Sequence, residues 1–377
     1  MRMKAAVIHE LNLPAPYAQS QPFSIEEVDL EGPGEGEVLV EVRGAGLCHS
    51  DLHYVAGIFP KRSLPMVGGH EGAGIVREVG RGVKELKVGD HVVMTGASGC
   101  GHCRSCIDIR PALCDSVGAS RTQGTLANGS VRLSSNGKPI YHYTGISSFA
   151  QFAVLLPSSL IKIDPSVPLD VASMFGCAVV TGAGAVFNAA KVRPGDNVAV
   201  FGLGGVGLNT VMAAKISGAS AIIGIDLSES KLQVARDVGC THTFLASDPE
   251  LVQKIAELTR GGVDFAFEVS GSQPAMVSAT AITRKGGDVI CVGVGRLDAV
   301  SQYSHAGLVL QEKSFRGSFM GSGVAQRDVL RYVDFFMAGK MPIDKLKSGT
   351  MTFEELNINL DRLHSGEVTR QVLLPHG

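Results

Sequence analysis

The chain has 377 residues, 45% of them apolar, enough for two domains that each bury a core. Its formal charge of −2 argues against nucleic acid or an anionic membrane as a partner, since both require concentrated positive charge, and no apolar run reaches the length of a membrane span. The opening MRMKAAVIHELNLPAP breaks a short apolar run with charge and proline, so no secretory signal is expected and a cytoplasmic protein with reduced thiols is.

Residues 1 to about 175 read as short β-like runs, KAAVI, EVLVEVRGAG, GAGIVREVG and DHVVMTG, separated by Gly and Pro turns. Within this stretch CGHCRSCIDIRPALC places Cys100, Cys103, Cys106 and Cys114 at x2, x2 and x7 spacing. Short CxxC steps return successive sulfurs to one side of a tight turn, so reduced thiols here predict a closed four-thiolate zinc site. With all four positions on the metal filled, such a site stabilises its lobe and does no chemistry.

From about 180 the texture changes to apolar strands alternating with helical patterns: NVAVFG, GVGLNTVMAAKISG, SAIIGID, SESKLQVARDVGC, HTFL, PELVQKIAELTR and VDFAFEVSG. A helix near 273 to 285, the strand GDVICVG and a last run near 314 to 319 complete about six parallel strands with crossover helices, an α/β doubly wound sheet. Beyond 325, DVLRYVDFFMAG and FEELNINLDRLHSGE have helical spacing and no dinucleotide pattern.

Between NVAVFG and its helix lies Gly202-Leu203-Gly204-Gly205-Val206-Gly207, followed by a strand ending at Asp226. In that context Gly202 permits the turn, Gly204 lets a pyrophosphate approach the backbone, and Gly207 lets the helix pack close to the strand. Asp226 is placed to accept from adenosine ribose hydroxyls and to repel a 2′-phosphate, which predicts NAD over NADP.

Cys48 in GLCHSDLH, His70 in GGHEGAG and Cys177 in MFGCAVVTG each have an ordinary reading as a buried thiol or a satisfied imidazole. Taken together, two thiolates and one imidazole make a three-ligand zinc site with its fourth position open. Cys240 and Cys291 read as core residues of the doubly wound part.

These stretches, with GCAVVTGAG, GLGGVG plus IIGID, and LHSGEVTRQVLL, resemble a zinc-dependent alcohol dehydrogenase of the medium-chain dehydrogenase/reductase superfamily, long-chain and two-zinc in type. The resemblance implies a Rossmann coenzyme domain over 179–324 and a β-rich GroES-like catalytic domain over 1–178 and 325–377, with the structural zinc lobe at 95–118. It implies that Cys48, His70 and Cys177 hold the catalytic zinc, with Glu71 just behind it at a metal position and Asp51 orienting the imidazole of His70. Ser50 would hydrogen-bond the substrate hydroxyl and His53 would end a proton relay to solvent. Val206 matches a position against the nicotinamide, Lys231 and Arg370 match ribose and pyrophosphate contacts, and His49 and Val294 are further cofactor positions. The implied reaction is reversible: the alcohol loses a proton through Ser50 and His53 and a hydride to NAD, giving an aldehyde or ketone.

Some positions depart from the family pattern. His49 stands where many relatives have an arginine on the pyrophosphate, which implies faster NADH release. Polyol dehydrogenases of the superfamily carry Glu at the position of Cys177, so the Cys favours simple alcohols. Glutathione-dependent formaldehyde dehydrogenases use an arginine where this chain has Gly118, which makes that activity the alternative; a zinc- and NAD-binding protein without turnover is another. Gly96 replaces a bulky aromatic of many relatives, and Phe59 and Phe319 match other pocket positions, together implying medium-chain, cyclic or aryl alcohols. The segment from about 115 to 148 resembles that of dimeric members, so a homodimer is expected.

Overall fold

Strand Val38–Leu47 is buried along almost its whole length, Arg43 excepted, and everything around it follows from that. A strand covered on both faces must lie inside a sheet, and its sequence VLVEVRGAGL is correspondingly almost continuous in apolar and small residues. It pairs antiparallel with Glu71–Val79, Phe152–Leu155 and Arg370–Leu373. The sheet extends through His91–Thr95 to Leu160–Ile163 on one side and to Lys347–Met351 on the other. A closed barrel of Arg2–Ile8, Ser24–Leu30, Leu133–Ser135, Lys138–His142 and Met66–Val67 completes the β-rich part. Closure leaves these strands without a free edge. The computed structural model describes residues 1–59 and 63–377.

The chain separates into two compact units. The first comprises Met1–Cys177, Gly323–Met337 and Ile343–Gly377; the second comprises Ala178–Ser322 and Ala338–Pro342. In the first, helix Ala325–Met337 buries Ala325, Val329, Tyr332 and Val333, one stripe at helical spacing, and packs on Leu160–Ile163 and on the turn Ser173–Gly176. Helix Leu356–His364 places Leu356, Leu360 and Leu363 in the same core as Val38, Val40 and Val42.

The second unit holds one sheet of six parallel strands: Asn197–Phe201, Ala221–Asp226, His242–Leu245, Val263–Glu268, Thr283–Cys291 and Ser314–Gly317. Numbered in chain order, they run 3-2-1-4-5-6 across the sheet, the doubly wound dinucleotide-binding order. One boundary differs from the sequence expectation. The helix ends at Ile282, not near 285, and the next strand starts at Thr283. Pairing of Thr283 with Val263 draws these residues into the sheet, and the Thr283 hydroxyl closes the helix by donating to Ala279 O at 2.7 Å. Cys240 and Cys291 are half-buried rather than fully enclosed. No single helix among the described residues is long and apolar enough to cross a membrane.

Candidate active site

Three loop-to-element junctions of the first unit deliver three donors to one point. Cys48 follows strand Val38–Leu47 and is the N-cap of helix His49–Val55. His70 immediately precedes strand Glu71–Val79, and Cys177 ends the turn Ser173–Gly176. The hydroxyl of Thr95 donates to Gly176 O at 2.8 Å, and a Cβ at Gly176 would stand 2.0 Å from Met94 O, so only glycine lets this turn approach. The ligand atoms of Cys48, His70 and Cys177 lie within 4.8 Å of one another, and all three residues are buried.

Asp51 shapes this cluster. Its Oδ1 lies 3.0 Å from His70 Nδ1, and its Oδ2 accepts from Cys48 N at 3.0 Å. With Nδ1 so engaged, His70 Nε2 is buried without a hydrogen-bond partner among the described residues. A buried polar atom left in this way requires a partner, and two sulfurs beside it supply the rest of a divalent-metal donor set. The Cys48 thiol is drawn well below its ordinary range by the hydrogen bond from Cys177, against burial and with help from the charges of Arg370 and His70. Cys177 moves the other way, raised by that same hydrogen bond and by burial. Thiols that ligate a divalent cation give up their protons when it binds. The residues therefore fit zinc.

Glu71 lies outside the three-donor cluster. Its Oε1 accepts from Arg370 Nη1 at 2.7 Å, and both side chains are buried. Burial pushes the Glu71 carboxyl up to about 7, opposed by the Arg370 charge. Arg370 also donates to Leu47 O at 3.2 Å. Its guanidinium is thus engaged at the back of the metal cluster.

Ser50 and His53 are three apart on helix His49–Val55 and share a face. Ser50 Oγ lies 3.9 Å from Cys48 Sγ. Burial holds the His53 imidazole below its usual pKa, partly offset by the Cys48 charge, and its ring meets Phe59 edge-on at 5.6 Å. His49 is exposed. Sequence reasoning missed Tyr143, whose hydroxyl donates to Ser50 O at 3.1 Å and whose ring meets His70 edge-on at 5.7 Å.

Cys100, Cys103, Cys106 and Cys114 also converge within 4.8 Å. The Cys103 and Cys106 sulfurs are 3.5 Å apart and those of Cys100 and Cys106 4.0 Å apart, bracketing the ~3.8 Å that tetrahedral zinc–thiolate bonding requires. The N–H of Cys103 points at Cys100 Sγ and that of Cys100 at Cys114 Sγ, each stabilising a thiolate.

In the second unit, Gly202 (φ 92°) turns the chain from strand Asn197–Phe201 into helix Gly205–Ile216, whose N-cap is Gly204. A Cβ at Gly207 would lie 1.8 Å from Gly202 O, whereas at Gly204 it would meet nothing within 4 Å. The loop therefore packs tightly behind and leaves open backbone in front, a cradle for phosphate at a helix N-terminus. Asp226 braces it by accepting from Leu203 N at 2.7 Å and Ser228 N at 3.0 Å. Val206 and Lys231 are half-buried and Val294 is exposed.

Fold and site together define a zinc-dependent oxidoreductase with a dinucleotide-binding unit. Residues 34–165 match the alcohol dehydrogenase GroES-like domain and residues 205–338 the zinc-binding dehydrogenase domain. The chain is 37% identical to S-(hydroxymethyl)glutathione dehydrogenase of Paracoccus denitrificans, over 99% of this chain and 100% of that one. Among solved structures it is similar to benzyl alcohol dehydrogenase from Acinetobacter calcoaceticus (32% identity, TM-score 0.92, 99% of each chain). A zinc-binding dehydrogenase from Sinorhizobium meliloti 1021 bound to NADP is also similar (25% identity, TM-score 0.82, 100% of each chain). The chain belongs to the zinc-dependent alcohol dehydrogenases of the medium-chain dehydrogenase/reductase superfamily, enzymes acting on CH–OH groups.

Proposed function

We propose that this enzyme uses NAD to interconvert medium-chain, cyclic or aryl alcohols, primary or secondary, with their aldehydes or ketones. The observation that carries the reading is the convergence of Cys48, His70 and Cys177 beside Ser50. When bound, zinc supplies a Lewis acid for the alcohol oxygen and NAD the hydride acceptor. The chain's own residues do the rest. Asp51 keeps the Nδ1 proton of His70 in place, so the Nε2 lone pair is available to the metal. Ser50 takes the alcohol proton and His53, held neutral by burial, receives it for release to solvent.

Asp226 supports NAD over NADP. Each of its oxygens accepts one backbone N–H and retains lone pairs for ribose hydroxyls, while a 2′-phosphate would meet its negative charge. In this reading 179–324 carries the coenzyme and 1–178 with 325–377 the chemistry, in a cytoplasmic homodimer. A Cβ at Gly96 would meet only Thr144, at 3.8 Å, so the glycine leaves room where an aromatic would intrude. That room favours bulky or ring-bearing alcohols over ethanol.

The Paracoccus relative favours a second reading, S-(hydroxymethyl)glutathione as substrate. Gly118 weighs against it, because it offers no cation for the adduct's carboxylate. The test is NADH formation by the holoenzyme with benzyl alcohol, cyclohexanol, octanol, ethanol, and formaldehyde plus glutathione. The expected result is a kcat/KM for benzyl alcohol or cyclohexanol at least about tenfold above that for ethanol, equivalent to a methylene-scale pocket difference. A preference for the glutathione adduct would overturn it in favour of the second reading.

A further inference from the structure

Tyr143 is 2% exposed and connects two parts of the metal centre that the sequence keeps far apart. Its hydroxyl donates to the main-chain carbonyl of Ser50 at 3.1 Å, and its ring stands edge-on to the His70 imidazole, centroids 5.7 Å apart and planes at 84°. The Tyr54 ring packs against it at 4.9 Å. Its own backbone is pinned: Tyr143 N donates to Ser147 Oγ at 3.1 Å, and that hydroxyl donates to Val67 O at 3.1 Å. Val67 lies on the short strand three residues before His70. The phenol is therefore anchored on the segment that delivers His70 and reaches across to the segment that delivers Cys48 and Ser50.

Helix His49–Val55 has seven residues, so few intrahelical bonds define where its first turn sits. Asp51 ties its N-cap to His70. Tyr143 adds a tie that lands on the main chain of Ser50 itself.

We propose that Tyr143 is a positioning residue for proton transfer, its hydroxyl fixing the Ser50 main chain relative to His70 so that Ser50 Oγ stays within reach of the substrate oxygen. The inference rests on Ser50 being the first proton acceptor. Proton transfer depends on heavy-atom distance within a few tenths of an ångström, so a loosened Ser50 slows the chemical step while leaving the metal bound.

The test is Tyr143→Phe, which keeps the ring and removes only the donor, examined with Ser50→Ala and the double variant in the zinc-loaded enzyme. Under conditions where chemistry limits the rate, Tyr143→Phe is expected to lower kcat for alcohol oxidation a few-fold to about tenfold, the worth of one hydrogen bond. The loss is deepest at low pH, with KM for the alcohol and zinc content nearly unchanged. In the Ser50→Ala background the same change is expected to have no further effect on kcat, because the group it positions is gone. Ser147→Ala, which removes one of the two acceptors of Tyr143 N and leaves Val67 O as the other, is expected to shift the pH profile in the same direction by less. Full additivity of Tyr143→Phe and Ser50→Ala, or an unchanged pH profile for Tyr143→Phe beside an impaired Ser50→Ala, overturns the inference and leaves the relay intact. Wild-type rates in Ser50→Ala overturn the relay and this inference with it.

Discussion

One carboxylate oxygen of Asp51 sits 3.0 Å from Nδ1 of His70, while the other accepts the N–H of Cys48, also at 3.0 Å. Two metal donors carried by separate elements are thus set in position by a single buried acid. Burial raises the pKa of Asp51, opposed by the neighbouring His70, and a carboxylate in that position needs both donors.

Asp51→Asn tests this. An amide offers one acceptor and one donor, so it can satisfy His70 or Cys48 but not both. The variant is expected to hold the catalytic zinc about 10- to 100-fold more weakly, the usual effect of removing a ligand's supporting acceptor, and to keep the four-cysteine zinc. Chelator competition monitored by elemental analysis measures it; unchanged affinity would show that Asp51 does not orient His70.

The two zinc sites differ in what their loss does. Cys103→Ser is expected to abolish soluble, folded protein, because the four-cysteine site contributes folding free energy directly. Cys48→Ser is expected to fold and to lose turnover, since Leu47 and Leu52 on either side of it in the chain belong to a large apolar core. Elemental analysis of the wild type gives two zinc ions per chain if both clusters are occupied. One ion per folded chain would contradict the assignment.

Much of this was legible in the sequence, for specific reasons. The six-stranded sheet announces itself because strands buried on both faces, such as NVAVF and AIIGID, must be continuous apolar runs alternating with helices. The four-cysteine lobe is local, so spacing alone reveals it. The three-donor cluster is not local: Cys48, His70 and Cys177 are ordinary residues one at a time, and only their donor chemistry taken as a set, together with the resemblance, joined them. The Glu71–Arg370 pair and the Tyr143–Ser50 hydrogen bond remained hidden, because they link segments far apart in the chain and neither leaves a periodicity. The end of the helix at Ile282 was misplaced for the same reason, since a partner strand decided it.

Asp226 carries the cofactor prediction. Asp226→Gly removes the ribose acceptor, the repulsion towards a 2′-phosphate and the brace on Leu203 N. The expected outcome is a rise in KM for NAD and a fall in the ratio of kcat/KM for NAD to that for NADP by at least about tenfold, the size of a lost charged hydrogen bond. A wild type that already prefers NADP would refute the assignment at once.

The last prediction concerns acid stability and a histidine with no part in catalysis. His142 is buried on strand Lys138–His142, where its Nε2 accepts from Arg132 N at 3.3 Å. Burial pushes its pKa down to about 4, with nearby Glu37 opposing and Arg132 assisting. In the unfolded chain the same group titrates near ~6.5. Between those values the unfolded state binds the extra proton, so unfolding is favoured as pH falls. The contribution of neutral His142 is therefore complete above pH ~6.5, is lost progressively towards pH ~4, and amounts to about 3 kcal/mol over the full interval. Glu37, held at about 2 by hydrogen bonds from Ser130, Asn128, Arg132 and Gly34 that outweigh its burial, acts in the same sense at still lower pH. Urea unfolding of wild type and His142→Gln at pH 7.5, 6.5 and 5.5 measures the effect; these three settings bracket the upper half of the titration. The wild type is expected to lose stability more steeply than the variant over this range, since Gln offers an acceptor to Arg132 N and cannot be protonated. Parallel pH dependences would mean that His142 takes up its proton equally in the folded and the unfolded chain.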